Sequence, residues 1–541
     1  MSDINYSKLR FLIADDFSNF RATVSTMLGK LGIYQIDTAN NGADVLDKCQ
    51  RRTYDVILCD YDLGPGRNGQ LVLEELRFKS LLPRSSLFVL VSADAAKDVV
   101  MAAYDCEPDD YLMKPITAQM LEQRVTRLLR RRHAMSGVYS ALDADDRRRA
   151  MAFLIDLSTT DNRYARVAQK MLGEIFIAEG ELHKAERLYT KVLELRPVDW
   201  ARLGLARVKH LQGELAVAGD WLEKIVQDNP LYLPAYDVLA NNWEQLGENQ
   251  QVQAAVQRSV AISPKSILRQ KRLAQVAERN GDLGTSLQAF RSTVRLGALS
   301  CHACPEDGFQ FARVAATSLE KKLQPAEPLV QEVVEVMSTT RQRFTLSREQ
   351  LTRAELLTAR LLAHSGKVER AKSLVEITEN QLRHTSEVSL EVDMERVQAL
   401  QALGEHEQAD ALLRELLQRY AYDESALEKL DTLLAEPVSE TNRAMIATVN
   451  REGIDLYNQA RFDEAIECFE KVRRIFPRHV GVHLNIVQSL IGKLRAGQKD
   501  VETISTTERA LATIGLLIEP DHSQYARFQR LQDMATVSMA R

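Results

Sequence analysis

Five positions in the first 120 residues carry side chains whose chemistry fits together. Asp15 and Asp16 close the first short apolar run, Asp60 closes the third and Ser92 the fourth; Lys114 follows the fifth, with Pro115 directly after it. Three carboxylates converging at one edge repel strongly unless a hard divalent cation lies among them. Mg²⁺ suits such a place, because it takes oxygen ligands, keeps several waters and can contact a phosphoryl oxygen. A lysine ammonium and a serine hydroxyl nearby supply positive charge and a donor for phosphoryl oxygens. A lone aspartate after a strand is ordinarily a helix cap, so the weight rests on the combination.

Convergence needs elements to carry it. Candidate strands are Leu9–Asp15, Ile36–Ala39, Val56–Asp60, Leu87–Ser92 and Asp110–Met113. Between them Phe17, Phe20, Val24, Met27, Leu28 and Leu31 recur at helical spacing, as do Leu71, Leu73 and Leu76, and later Val99, Val100 and Ala103. Strand and helix alternating five times predicts an α/β doubly wound, five-stranded parallel sheet with helices on both faces. In such sheets the polar residues that act lie at the carboxyl ends of strands. All five fall there.

The set, with Tyr111 three positions before the lysine, resembles the CheY-like (flavodoxin-like) receiver domain of bacterial two-component response regulators over residues 5–130, with every motif position filled. The resemblance implies that Asp60 is the phosphoacceptor, attacking phosphorus to give an aspartyl phosphate. It implies that Asp15, Asp16 and Asp60 hold Mg²⁺ with the backbone carbonyl of Asp62, and that Lys114 and Ser92 engage the phosphoryl oxygens. It also implies a cis Lys114–Pro115 bond that aims the ammonium inward. Ser92 then moves toward the phosphate and the Tyr111 ring turns into the vacated space. The surface made by the fourth helix, fifth strand and fifth helix repacks in response. Two features depart from the family pattern. The loop after Asp60 reads YDLGPGRNG, glycine-rich and apparently one residue longer. Asp62 and Asp94, each two positions after a site residue, place acids beside the route of hydrolytic water, where they are expected to tune phosphate lifetime.

From about residue 117 no strand pattern remains, and after residue 160 the chain repeats. Gly180, Gly213, Gly247 and Gly281 share a register with small residues seven positions earlier (Gly173, Ala206, Ala240, Ala274) and five later (Ala185, Ala218, Val252, Ser286). Bulky residues stand nine later, at Tyr189, Leu222, Val256 and Phe290, and Pro197, Pro230 and Pro264 end three of the units. Small residues let two helices approach, glycine permits the turn and proline stops the second helix. A period of about 34 of this kind resembles the tetratricopeptide repeat (TPR). Weaker copies run through Ala359, Gly366, Ala371 and Val375, through Gly404, Ala409 and Leu413, and through Gly453, Ala465, Phe469, Val472 and Pro477, where Ala460 replaces the turn glycine. The expected organisation is a receiver domain over 1–125, a helical linker over 126–160, about four repeats over 161–297, an irregular helical segment over 298–350 and further TPR-like helices over 351–541. That makes an all-α solenoid of roughly eight pairs, with 418–445 hard to register.

Composition narrows the function. At 541 residues and 61.1 kDa the chain exceeds one domain; three or four units of about 150 residues are expected. With 24 Gly and 14 Pro it is too poor in turn formers for a β-rich protein. Residues 1–122 carry 18 Asp and Glu against 13 Lys and Arg, which is the whole formal charge of −5, since the remaining 57 acids and 57 bases cancel. No global basic field attracts nucleic acid. Six scattered cysteines make no disulfide framework. Cys301-His302-Ala303-Cys304 has the spacing of half a zinc site without a second half, and reads as a structural thiol pair. The first residues lack the marks of a signal peptide and no apolar run is long enough to span a bilayer, so no membrane insertion and a cytoplasmic location are expected. On the inner helices Trp200, Arg207, Asn241 and Lys271 are candidates to line a groove for a protein partner.

The expected function is therefore a response regulator phosphorylated on Asp60 by a sensor histidine kinase or phosphotransfer protein. It signals through the repeat array, by binding an as yet unidentified protein or by forming a homodimer. No helix-turn-helix, cyclic-dinucleotide or nucleotide-loop motif supports an enzymatic output beyond the receiver's own phosphoryl transfer and dephosphorylation. An alternative is a phosphate sink tethered to a sensor kinase. A nucleic-acid regulator using Arg124, Arg127, Arg130, Arg131 and Arg132 ranks below both, because the surrounding region is neutral and lacks interleaved aromatics.

Overall fold

A computed structural model describes residues 5–93, 106–160, 163–383, 388–434, 436–498, 500–518, 520 and 522–540. It has strands β1 (Arg10–Ala14), β2 (Gln35–Ala39), β3 (Val56–Asp60), β4 (Leu87–Ser92) and β5 (Asp110–Met113). They form one parallel sheet in the order β2-β1-β3-β4-β5. The three strands β3, β4 and β5 have the bounds the pattern predicts, whereas β1 is one residue shorter at each end and β2 begins one residue earlier. The expected helix around Val99, Val100 and Ala103, and Asp94 with it, lie outside the described residues.

Every residue of β3 and β4 is buried because both faces of the sheet are covered. Alternation along the strands sorts the core. Leu12, Ala14, Ile57, Cys59, Phe88 and Leu90 meet Val45 of helix Gly42–Arg51 and Val72, Leu73 and Leu76 of helix Gly69–Phe78. Phe11, Ile13, Leu58, Val89 and Val91 meet Val24 and Leu28 of helix Ser18–Lys30 and Leu121, Val125, Leu128 and Leu129 of helix Ala118–Ala134. Phe17, expected on the apolar stripe of its helix, is instead the N-cap residue and 67% exposed.

The chain packs as two compact units, residues 1–277 with 285–307, and 278–284 with 308–541. In the first, helices Ser136–Asp143 and Arg147–Thr160 follow the sheet, and then come helical pairs beginning with Ala165–Ala178 and Leu182–Leu195. The turn glycines have the left-handed backbone their place requires: Gly180, Gly213, Gly247, Gly281, Gly366 and Gly404 have φ between +72° and +84°. The small and bulky register positions from Gly173 to Phe290 are all buried.

The second unit continues with the same device less regularly. The segment expected to be irregular folds into two longer helices, Pro305–Glu320 and Ala326–Arg343, and lacks the turn glycine that would have marked a register. Nine helical pairs occur among the described residues, against roughly eight expected. In the stretch that resisted a register, the short helix Glu424–Leu430 and a 3-10 turn, Asp431–Leu433, lie between helices His406–Arg419 and Glu440–Asn458. There the buried Asp431 carboxylate accepts hydrogen bonds from the backbone N–H groups of Val438 (2.7 Å) and Ser439 (3.2 Å), the Ser439 hydroxyl (2.5 Å) and the Asn442 amide (3.0 Å). This polar knot stands beside the buried Ala426, Leu430 and Leu433, and so short a helix presents no extended period. Among the described residues no helix is long and apolar enough to cross a membrane.

Ala460 occupies a turn-glycine position with φ +59°. A Cβ in that conformation costs about 1–2 kcal/mol, partly offset by the greater entropy glycine loses on folding. Ala460→Gly should therefore raise unfolding stability by up to about 1 kcal/mol. A loss of stability in chemical denaturation would show that the turn carries no such strain.

Candidate functional site

Register builds the site. Ala14 of β1 lies opposite Cys59 of β3, so Asp15 emerges level with Asp60 at the sheet's carboxyl edge. Ser92 lies opposite Met113, which puts Lys114 one step beyond β4. From there its ammonium reaches Asp15 Oδ2 at 2.7 Å and Asp60 Oδ2 at 2.5 Å. Asp15 is fully buried and Asp60 is 5% exposed, whereas Asp16 faces solvent. Carboxylate oxygens of Asp15, Asp16 and Asp60 all lie within 4.8 Å of one another. Among the described residues no other group of three His, Cys, Asp or Glu side chains comes together in this way.

The electrostatics are those of a site short of positive charge. Burial pushes the Asp60 carboxyl above its usual range, Lys114 draws it down, and the neighbouring Asp15 pushes it up again. One ammonium thus serves two buried carboxylates. The donor set, three carboxylates with one open to water, fits a hard divalent cation.

Around this centre, Asp15 Oδ1 accepts from the Phe17 N–H at 2.8 Å and Arg21 donates to the Asp15 carbonyl at 2.5 Å. The Phe20 ring lies 4.2 Å from the lysine nitrogen. Sequence spacing marks Phe20 as one more core residue of its helix and gives no sign that it shields Lys114. Ser92 is buried and Tyr111 half-buried on the face shared with Cys59, Phe88 and Cys106. The Lys114–Pro115 bond is cis.

The glycine-rich loop follows from its backbone. Gly64 and Gly66 have φ +75° and +107°, and the exposed Asp62 side chain accepts from the Gly64 N–H at 3.1 Å. The chain then returns so closely that a Cβ on Gly69 would collide with the Asp60 carbonyl. Asn68 caps the helix that starts there. The loop therefore ties Asp60 mechanically to helix Gly69–Phe78, and its glycine-rich sequence is the visible sign of that close return.

Four of the five arginines of the run pair with aspartates at the strand starts, while Arg130 is exposed. Arg124 and Arg127 pair with Asp110 (3.3 and 2.6 Å), Arg131 with Asp109 (2.5 Å) and Arg132 with Asp55 (2.6 Å), fastening the last helix to the strand starts. The paired guanidiniums are partly neutralised where they stand.

The four groove candidates are scattered in role. Trp200 packs edge-on against Tyr189 at 6.2 Å, and Arg207 is half-buried. The Asn241 side-chain oxygen accepts from Arg272 at 2.7 Å. Lys271 donates to the His302 carbonyl at 2.6 Å and pairs with Asp307 at 2.8 Å. Asn241 and Lys271 thus join neighbouring helices within the repeats. Cys301 and Cys304 are free thiols.

Comparison with known proteins agrees with the architecture. Residues 11–126 match the response regulator receiver domain and residues 170–232 match the tetratricopeptide repeat. The chemotaxis protein CheY of Pseudomonas aeruginosa is 28% identical over 123 residues, covering 23% of this chain and 98% of its own. The regulatory protein VanRB of Enterococcus faecalis is 30% identical over 128 residues, covering 24% and 56%. A Thermotoga maritima response regulator, crystallised with Mg²⁺ and beryllofluoride, is 29% identical, with coverage of 22% and 98% and a TM-score of 0.20. The chain thus carries a CheY-like receiver domain of the two-component type at its N-terminus, followed by a long helical region with TPR repeats.

Proposed function

We propose that this receiver accepts a phosphoryl group on Asp60 and that the repeats transmit its state to a protein partner. The observation that carries the reading is the Lys114 ammonium between two buried carboxylates on adjacent strands, with a third carboxylate within 4.8 Å. An Asp60 carboxylate oxygen forms the bond to phosphorus while the bond from phosphorus to the donor breaks and the donor keeps the electron pair. A phosphohistidine on a sensor kinase or phosphotransfer protein is the donor the receiver type calls for. Lys114 is placed to turn from Asp60 to the transferred group and neutralise it, and the Ser92 hydroxyl to donate to one of its oxygens. Asp15 and Asp16, with Asp60 and the Asp62 carbonyl, would hold Mg²⁺, which when bound supplies charge stabilisation to the phosphoryl oxygens. Tyr111, on the strand that delivers Lys114, is the switch residue of this reading, with Pro115 fixing the turn behind it.

The test is direct. Purified protein given acetyl phosphate and Mg²⁺ should acquire a hydroxylamine-labile adduct of about 80 Da on the peptide containing Asp60. Asp60→Asn or chelation of the metal should abolish it. An adduct that persists in Asp60→Asn would overturn the assignment.

A further inference from the structure

Inside the first compact unit, between the sheet domain and the first repeat, lies a cleft of about 730 Å³. One wall is a stripe of helix Ala118–Ala134 carrying Gln119, Gln123, Arg127 and Arg130. Steps of four, four and three residues put these side chains on one helical face. The other wall is Arg163 and Tyr164, at the start of helix Ala165–Ala178. Both walls are fastened to the same packing. Met135 at the end of the first helix, Val138 and Leu154 of the two helices between, and Ala168 and Leu172 of the last share one apolar core. The width of the cleft is therefore set by core contacts, and the cleft stands ready formed.

The lining is rich in donors. Four guanidiniums, two carboxamides and the Thr126 hydroxyl face one carboxylate, that of Glu122. On the strand side Asp110 serves both Arg124 and Arg127, and Asp109 serves Arg131, so five guanidiniums stand against three carboxylates. An arginine paired through one edge keeps further N–H donors for a second oxyanion. Arg130 is exposed and, among the described residues, has no ion pair. Guanidinium forks match phosphate geometry. Extent separates one anionic group from several. From Gln119 to Arg130 the wall runs eleven residues, about 16 Å of helix, and a single phosphate meets only part of it.

We propose that this cleft binds a small organic polyphosphate of mononucleotide size, with Arg127, Arg130 and Arg163 on its phosphates and its organic part against Tyr164. The volume falls within the range of about 300–1,000 Å³ usual for ligand sites. The proposal does not depend on phosphorylation of Asp60. A ligand touching both walls also stabilises their junction.

Calorimetry on the full chain decides it, with excess chelator keeping the metal site of Asp60 out of the readout. ATP should bind once per chain, more tightly than AMP, pyrophosphate or inorganic phosphate, and more weakly as salt rises. Arg130→Gln and Arg163→Gln should each weaken it about tenfold, as expected for one lost charge-assisted hydrogen bond. Both side chains are exposed, so neither change empties a core. Arg148→Gln, exposed and outside the cleft, should leave affinity unchanged, as should Asp60→Asn. Pyrophosphate binding as tightly as ATP would overturn the organic part and make inorganic polyphosphate the ligand. Dissociation constants above about 1 mM for every probe, or an affinity indifferent to both cleft variants, would overturn the site. An equal loss in Arg148→Gln would reduce it to diffuse charge attraction, and binding confined to a single-stranded oligonucleotide would likewise overturn it.

Discussion

Lys114→Ala lowers the stability of the receiver by about 3–5 kcal/mol in metal-free buffer, the range for removing one partner of a buried ion pair. The magnitude follows from how its partners are placed. Asp15 is fully buried and Asp60 nearly so, both oxygens lie within 2.7 Å of the ammonium, and an oxygen of a third carboxylate, Asp16, lies within 4.8 Å of theirs. Without the lysine two carboxylates face each other in low dielectric, and one must take up a proton or water must enter. Pairing Lys114→Ala with Asp60→Asn should recover most of the loss, because the repulsion goes with the charge. Saturating Mg²⁺ should recover part of it in the single variant by supplying positive charge to the same oxygens. Chemical denaturation with hydrogen exchange at β1 and β3 reads all three. A single variant within about 0.5 kcal/mol of the parent, the range for an inconsequential surface change, would mean the lysine contributes nothing to holding the carboxylates.

The second large effect lies in the repeats. Tyr189 is 2% exposed, and its ring is clamped between the backbones of Gly173 and Gly204 on two successive inner helices. A Cβ at either glycine would overlap the ring. Overpacking of this kind costs about 1–3 kcal/mol, so Gly173→Ala should destabilise the first repeats by that amount although alanine favours helix. Tyr189→Leu alone should also cost stability, through lost burial, and joining it to Gly173→Ala should cost less than the sum of the two. Strict additivity in that cycle would mean ring and glycine do not meet. Glycine at 173 and at 204 is a steric requirement set by one neighbouring ring.

Much of the site was legible because its information is local. An apolar run ending in Asp15, Asp60 or Ser92 states both the strand and the residue at its carboxyl end, and five runs alternating with helical stretches imply a parallel sheet whose ends share an edge. The turn glycines were legible for a similar reason, since only glycine takes a positive φ without cost, and Ala460 stood out as the exception. The arginine run shows the limit. Spacing along a helix tells how the guanidiniums are arrayed and says nothing of Asp55, Asp109 and Asp110, brought opposite them by strand order. The same holds for the segment at 424–442, where one buried carboxylate organises a turn that no periodicity announces.

By itself, then, the order of residues determined the sheet, the clustering of Asp15, Asp16, Asp60 and Lys114 and the helical repeats, because each follows from backbone preference and apolar period over a few tens of positions. Tertiary structure alone decided that Lys114 bridges two buried acids beneath Phe20, that Asn241 and Lys271 are engaged with neighbouring helices, and that Arg130 and Arg163 line one cleft. Contacts of this second kind depend on which surfaces packing leaves adjacent. Adjacency between distant segments is a property of the folded chain that no local window contains.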